Sequence, residues 1–174
     1  MVSGDEAVSG NVEVGVICLG SSPEERAQTG WASSAMVAIA VEIRVEGLGR
    51  IQMEEVPAND DSTIQAFLLR VARPGVTARQ SPDDTALQSV AYVGSALRRW
   101  LRRVYCGGVQ PHHLRYYLQE FAFRANNRHL TNRGELFLLL LSQALQCEPA
   151  TYKLLLSRGR QHAQKRKNAA VGQR

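Results

Sequence analysis

The segment "AMVAIAVEIRV", Ala35 to Val45, limits the possible folds more than any other part of the chain. It opens with an unbroken apolar run, Ala35 to Val41, rich in β-branched side chains. Such side chains lose rotamer freedom in a helix and pack well on a pleated surface, so the segment reads as a strand. A strand that is largely apolar has no side to offer water, which places it at the centre of a sheet. The run is far shorter than the roughly 20 residues that span a bilayer, as is the other long apolar run, Leu136 to Leu141.

The flanking sequence supplies partners for that strand. "NVEVGVICLG" carries Val12, Val14 and Val16 at period 2 and closes on Gly20. "EGLG", Glu46 to Gly49, reads as a turn, and "RIQMEEV" as a third strand with Ile51, Met53 and Val56 on its apolar side. The short spacing predicts an antiparallel hairpin between the second and third strands. "NDDSTIQAFLLRVARPG" then changes period. Asp60, Asp61 or Ser62 can cap a helix, and Ile64, Phe67, Leu68 and Val71 form one stripe. Arg73 suits the negative end of the helix dipole, and Pro74-Gly75 stops the helix. "VTARQ" is a short fourth strand, and a helix between strands suggests a crossover and a parallel pairing.

Beyond "SPDD" the chain reads as helical. One helix, capped by Asp84 or Thr85, runs through "SALRRWLRRVY" and is broken by "CGGV". Pro111 suits the first turn of the next, whose apolar face is Leu114, Tyr117, Leu118, Phe121 and Ala125. Gly134 precedes "ELFLLLLSQALQ", and "PATYKLLLS" is a last short helix. The fold class expected is α/β (α+β), in the order β-β-β-α-β followed by C-terminal helices. Residues 1–11 are expected to be disordered, residues 12–156 to form the domain, and residues 157–174 to be a basic disordered tail.

Charge divides the chain. Residues 1–84 carry 6 basic and 13 acidic side chains, residues 85–174 carry 15 and 3. A positive field of that kind suits a polyanion such as nucleic acid, although a basic helix is also simply well solvated. Arg98, Arg99, Arg102 and Arg103 share one side of a helix, with Leu97, Trp100, Leu101 and Val104 available for the core. Four guanidinium groups on one face suit phosphate oxygens. If all four neutralised phosphates, log K against log salt would slope by about −3.6. Arg124, Asn126, Asn127, Arg128 and His129 close the following helix. They serve equally as caps and as contacts to a phosphate backbone. Cys18, Cys106 and Cys147 show no metal spacing and read as reduced, buried thiols of a cytoplasmic protein. The N-terminus lacks the pattern of a signal peptide. His112 and His113 face different ways on a helix, which disfavours a metal pair, and His162 lies in the tail. No Gly-rich phosphate loop, Ser-His-Asp set or Cys-x-x-Cys pair is present.

The segment "HHLRYYLQEFAFRANNRHLTNRGELFLLLLSQAL" resembles the C-terminal signature of the ISXO-like insertion-sequence transposases. The residues that carry the match are His113-Leu114, Tyr117-Leu118, Glu120-Phe121, Phe123-Arg124, Asn126, Arg128, Arg133-Gly134 and Leu136-Phe137. "LRRWLRRVYCGGVQPHHL" before it, and "VEVGVICLG", "VAIAVE", "GRIQMEEVP" and "PGVT" upstream, follow the family's order, so the resemblance covers about Val12 to Leu156. It implies a truncated RNase H-like core and DDE-type DNA transposition, in which three acidic or amide side chains hold two Mg²⁺ ions around the scissile phosphate.

The departures from the family pattern are specific. Gly15 stands where the resemblance expects the first-strand ligand. Ser81 stands at the second aspartate, or an internal deletion near residue 80 removes that aspartate and a fifth strand. Ala91 stands near the third position. Glu13, Asp83 and Asp84 are the substitutes within reach, each equally readable as a structural carboxylate, turn or cap residue. The expectation is a catalytically inactive member of a mobile-element family with no metal cofactor and residual DNA binding through Arg98, Arg99, Arg102, Arg103, Arg124 and Arg128. No cysteine pair precedes Val12, so a zinc-ribbon start is not expected. The alternatives are a regulatory or inhibitory partner of an intact transposase, association with itself, an active nuclease using substitute ligands, and a decayed frame that barely folds.

Overall fold

The computed structural model describes residues 7–20, 34–80, 88–105 and 113–146, with the side chains of Tyr105 and Gln146 excepted. The chain divides into two units, Met1–Asn126 and Asn127–Arg174.

The first unit is built on a four-stranded mixed sheet. Its strands are β1 (Asn11–Leu19), β2 (Ala35–Arg44), β3 (Gly47–Val56) and β4 (Thr77–Gln80), in the order β3-β2-β1-β4. β2 pairs antiparallel with both β1 and β3, while β4 runs parallel to β1. Three described helices belong to this unit: α1 (Asp61–Val71), α2 (Gln88–Tyr105) and α3 (Leu114–Asn126). The described part of the second unit holds α4 (Arg133–Gln146).

The continuous apolar run of β2 is explained by two separate cores. Val37, Ile39 and Val41 join Ile17, Leu19, Ile51 and Met53 against Val90, Val93, Leu97 and Leu101 of α2 and Leu114 and Leu118 of α3. Ala38 and Ala40, pointing the other way, join Val12, Val14 and Val56 against Ile64, Phe67, Leu68 and Val71 of α1. A strand covered on both faces cannot alternate polar with apolar residues without stranding a polar group. The small side chains Ala38 and Ala40 leave room for Phe67, which is fully buried. Burying one such aromatic stabilises the fold by about 1.5–3 kcal/mol. Trp100 and Phe121 meet edge to face between α2 and α3, with ring centroids 5.6 Å apart.

α1 shows why its residues form a helix. The Asp60 carboxylate accepts from the Thr63 backbone N–H at 2.7 Å, so Asp60 is the N-cap among the three candidates. The stripe Ile64, Phe67, Leu68 and Val71 is the buried face. The helix ends at Val71, because Ala72 is extended and bridges to Val8. Arg70, not Arg73, is the basic residue of the last turn, and it pairs with Glu54 of β3 at 3.0 Å. Arg73 lies past the helix, and its N–H donates to the Val8 carbonyl.

Three further expectations are corrected. Ala7–Gly10 are not disordered: Val8 is fully buried and its N–H donates to the Val71 carbonyl. Val56 does not share a side with Ile51 and Met53 but belongs to the α1 core, as its even number requires at period 2. Val104 is half exposed rather than part of the core. The hairpin between β2 and β3 forms as expected, turning at Val45–Glu46 with Gly47 already in β3 at φ 124°. The expected readings at Ser81, Asp83, Asp84, Cys106, Pro111, His112, Cys147, "PATYKLLLS" and the basic tail lie outside the described residues.

Candidate nucleic-acid interface

α2 lies on β1 through two glycines, one on each element. A Cβ at Gly15 would stand 3.2 Å from the Val90 Cγ1, and a Cβ at Gly94 would stand 3.2 Å from both Cδ1 and Cγ2 of Ile17. These are tighter than ordinary carbon contacts, so the helix reaches this depth only because both side chains are absent. The seating buries Leu97 and Leu101 and turns the opposite side of α2 outward.

That outward side carries Arg99, Arg102 and Arg103, all exposed. At about 100° per residue they cover one arc of the helix, away from Val93, Leu97 and Leu101. Arg98 behaves differently. It is half-buried, and its Nη2 donates to the Cys18 carbonyl near the end of β1 at 2.9 Å. This bond ties α2 to the sheet, so the row of four arginines expected from spacing divides into three outward groups and one anchor. Arg124 is exposed and donates through Nε and Nη2 to Glu120 Oε1, one turn earlier, at 3.0 and 2.8 Å. Arg128 is exposed in the turn after α3 and belongs to the second unit.

Asn126 is a structural residue. Among the described residues β3 is an edge strand, so the outward N–H and C=O of Ile51 have no described strand beside them. The Asn126 amide takes the place of a strand there. Its Oδ1 accepts from the Ile51 N–H at 2.7 Å, and its Nδ2 donates to the Ile51 carbonyl at 3.0 Å. A side-chain amide has the donor and acceptor of a peptide group in the same plane, which is why asparagine serves here.

The catalytic positions implied by the resemblance have a different environment. Gly15 is buried against Val90, so the space a first-strand carboxylate would need is taken by an apolar side chain. Ala91, half-buried on α2, supplies no oxygen from its side chain. Glu13 shares the Gly15 face of β1, but its Oε2 accepts from the Ser89 N–H in the first described turn of α2 at 3.3 Å. The bond joins this carboxylate of β1 to the backbone of α2. Among the described residues no three His, Cys, Asp or Glu side chains converge as a metal site, and neither Gly15 nor Ala91 carries a side-chain donor.

Sequence reasoning missed Gly94 and Glu42. The signal for Gly94 is a glycine inside an otherwise regular helix, which marks a close approach. For Glu42 it is a lone carboxylate at the end of an apolar strand. Searches against protein-family models, curated proteins and solved structures each find no match to this chain. No described helix is long and apolar enough to cross a membrane.

Proposed function

We propose that this chain is a nucleic-acid-binding, catalytically silent relative of the ISXO-like DDE transposases, built on a truncated RNase H-like core. The chain order β-β-β-α-β followed by helices supports the core assignment. The observation that carries the binding reading is the exposed row Arg99, Arg102 and Arg103, backed by a helix whose other side is locked into the sheet. A rigid element presents these groups at fixed spacing, so little ordering entropy is lost when phosphates bind. Contacts of this kind read the phosphate backbone and give affinity without sequence choice. The silent reading rests on Val90 filling the space beside Gly15 and on the engagement of Glu13 with α2.

Duplex DNA binding measured against salt tests this. With Arg98 anchored to Cys18, three phosphate contacts give an expected slope of about −2.7 in log K against log salt. Changing Arg99, Arg102 and Arg103 together to Gln is expected to flatten the slope toward zero, and the same duplex is expected to stay intact with Mg²⁺ present. A slope unchanged by the triple variant, or Mg²⁺-dependent nicking that disappears in Glu13→Ala, would refute the corresponding half of the proposal.

A further inference from the structure

The second unit presents a surface of the opposite character. α4 reads Arg133-Gly-Glu-Leu-Phe-Leu-Leu-Leu-Leu-Ser-Gln-Ala-Leu-Gln146. Phe137, Leu138, Leu140, Leu141 and Leu145 are exposed by 62%, 64%, 46%, 43% and 79%, values that belong to a surface rather than a core. Placed at about 100° per residue, Leu140, Ala144, Phe137, Leu141, Leu145 and Leu138 follow one another around an arc of about 160°. Leu136, Leu139 and Gln143, which are less exposed, occupy the other side. The exposure is therefore one continuous stripe and not scattered positions, and it is wider than the minimum an amphipathic helix needs to pack.

Three features of the stripe specify what covers it. First, Leu138, Leu141 and Leu145 are spaced i, i+3 and i+7, the seam by which one helix packs along another. Second, between Glu135 and the end of the helix there is no charged residue, so two copies of the stripe meet without like-charge repulsion. A polyanion finds nothing to hold there. Third, five large side chains exposed to this degree make a patch on the order of 500 Å², near the upper end for a monomer and below the roughly 800 Å² per partner of a standard interface. That size fits a reversible contact between like helices better than a permanent one. A two-fold contact also needs only one kind of surface, which this helix supplies.

We propose that α4 is a self-association surface, through which the chain pairs with a second copy of itself, helix against helix along the Leu138–Leu141–Leu145 seam. This does not depend on the nucleic-acid reading. The two are separated by salt, since an apolar seam holds as ionic strength rises while phosphate contacts weaken.

The test uses the full chain. Analytical ultracentrifugation is expected to show a mass rising with concentration from 19.2 kDa toward twice that value. The midpoint is expected at roughly micromolar concentration or weaker, as a small interface implies. Leu141→Glu with Leu145→Glu is expected to hold the chain at the monomer mass without changing its thermal transition, because both side chains are already exposed. A photoreactive benzoylphenylalanine in place of Phe137 is expected to crosslink to residues 133–146 of a second copy. The proposal fails if the chain stays monomeric at all concentrations, or if the dimer persists in the double variant. It also fails if the crosslink falls on residues 1–126 or 147–174 of the same chain, which would mean that the molecule covers its own helix.

Discussion

At the scale of single residues, the structure turns on where polar groups find partners. Glu42 is the clearest case. It is 6% exposed, at the end of the strand that carries both cores. Its Oε1 accepts from Arg44 Nε at 3.0 Å and the Ser9 hydroxyl at 3.3 Å, and its Oε2 from the Arg50 N–H at 3.3 Å. Gly49 lies so close above that an added Cβ would come within 3.0 Å of Glu42 Cβ and Cδ. Burial by itself pushes this carboxyl up, but Arg44, the Arg50 N–H and Ser9 outweigh burial and hold it below the usual range. A depressed carboxyl contributes stability in full above its ordinary value of 4.5, and that stability is lost as pH falls through the lower folded value. Glu42→Gln is therefore expected to lower stability at pH 7 by about 1–3 kcal/mol. It should also flatten the acid side of the stability curve, as urea titrations at a series of pH values would show. An unchanged acid limb would remove Glu42 from this role. Asn126 makes a second residue-scale prediction. Asn126→Ala leaves the Ile51 N–H and C=O without the amide, an expected loss of about 1–3 kcal/mol. The Ile51 amide should exchange its hydrogen faster, while DNA affinity of the folded protein stays the same. A loss of affinity with Ile51 still protected would assign Asn126 to the interface instead.

At the scale of elements, the contact of α2 with β1 sets what the surface presents. Gly94 costs helix propensity, roughly 1 kcal/mol relative to Ala, yet sits in the middle of an 18-residue helix. The close approach to Ile17 explains why. Gly94→Val is expected to destabilise by about 1–3 kcal/mol through overpacking. Ile17→Val removes one of the two carbons it would strike, so the double variant should lose less than the sum of the singles in denaturant titrations. Additive losses would show that the two positions do not press on one another. The same contact directs Arg98 inward to Cys18 and leaves Arg99, Arg102 and Arg103 outside. A shift of α2 along β1 by one residue would rotate that row by about 100° and mix it with the buried face.

At the scale of the whole molecule, the chain by itself determined its elements. The doubly apolar run of β2, the period-2 valines of β1, the stripe of α1 with its acidic cap, and the apolar face of α3 were all legible, because periodicity and capping are properties of neighbouring residues. So was the separation of an acidic half from a basic half. The partners of polar side chains were not legible. Nothing near Asn126 in sequence announces Ile51, nor near Glu13 the N–H of Ser89, nor near Arg98 the carbonyl of Cys18. These bonds join positions 75 to 80 residues apart, and a hydrogen bond forms only where distance and direction agree to a fraction of an ångström. Local pattern decides which groups are inside and which are outside. Only the packed sheet and helices decide which of two equally suitable arginines turns inward to a carbonyl of the sheet, as Arg98 does, and which stands exposed, as Arg99 does.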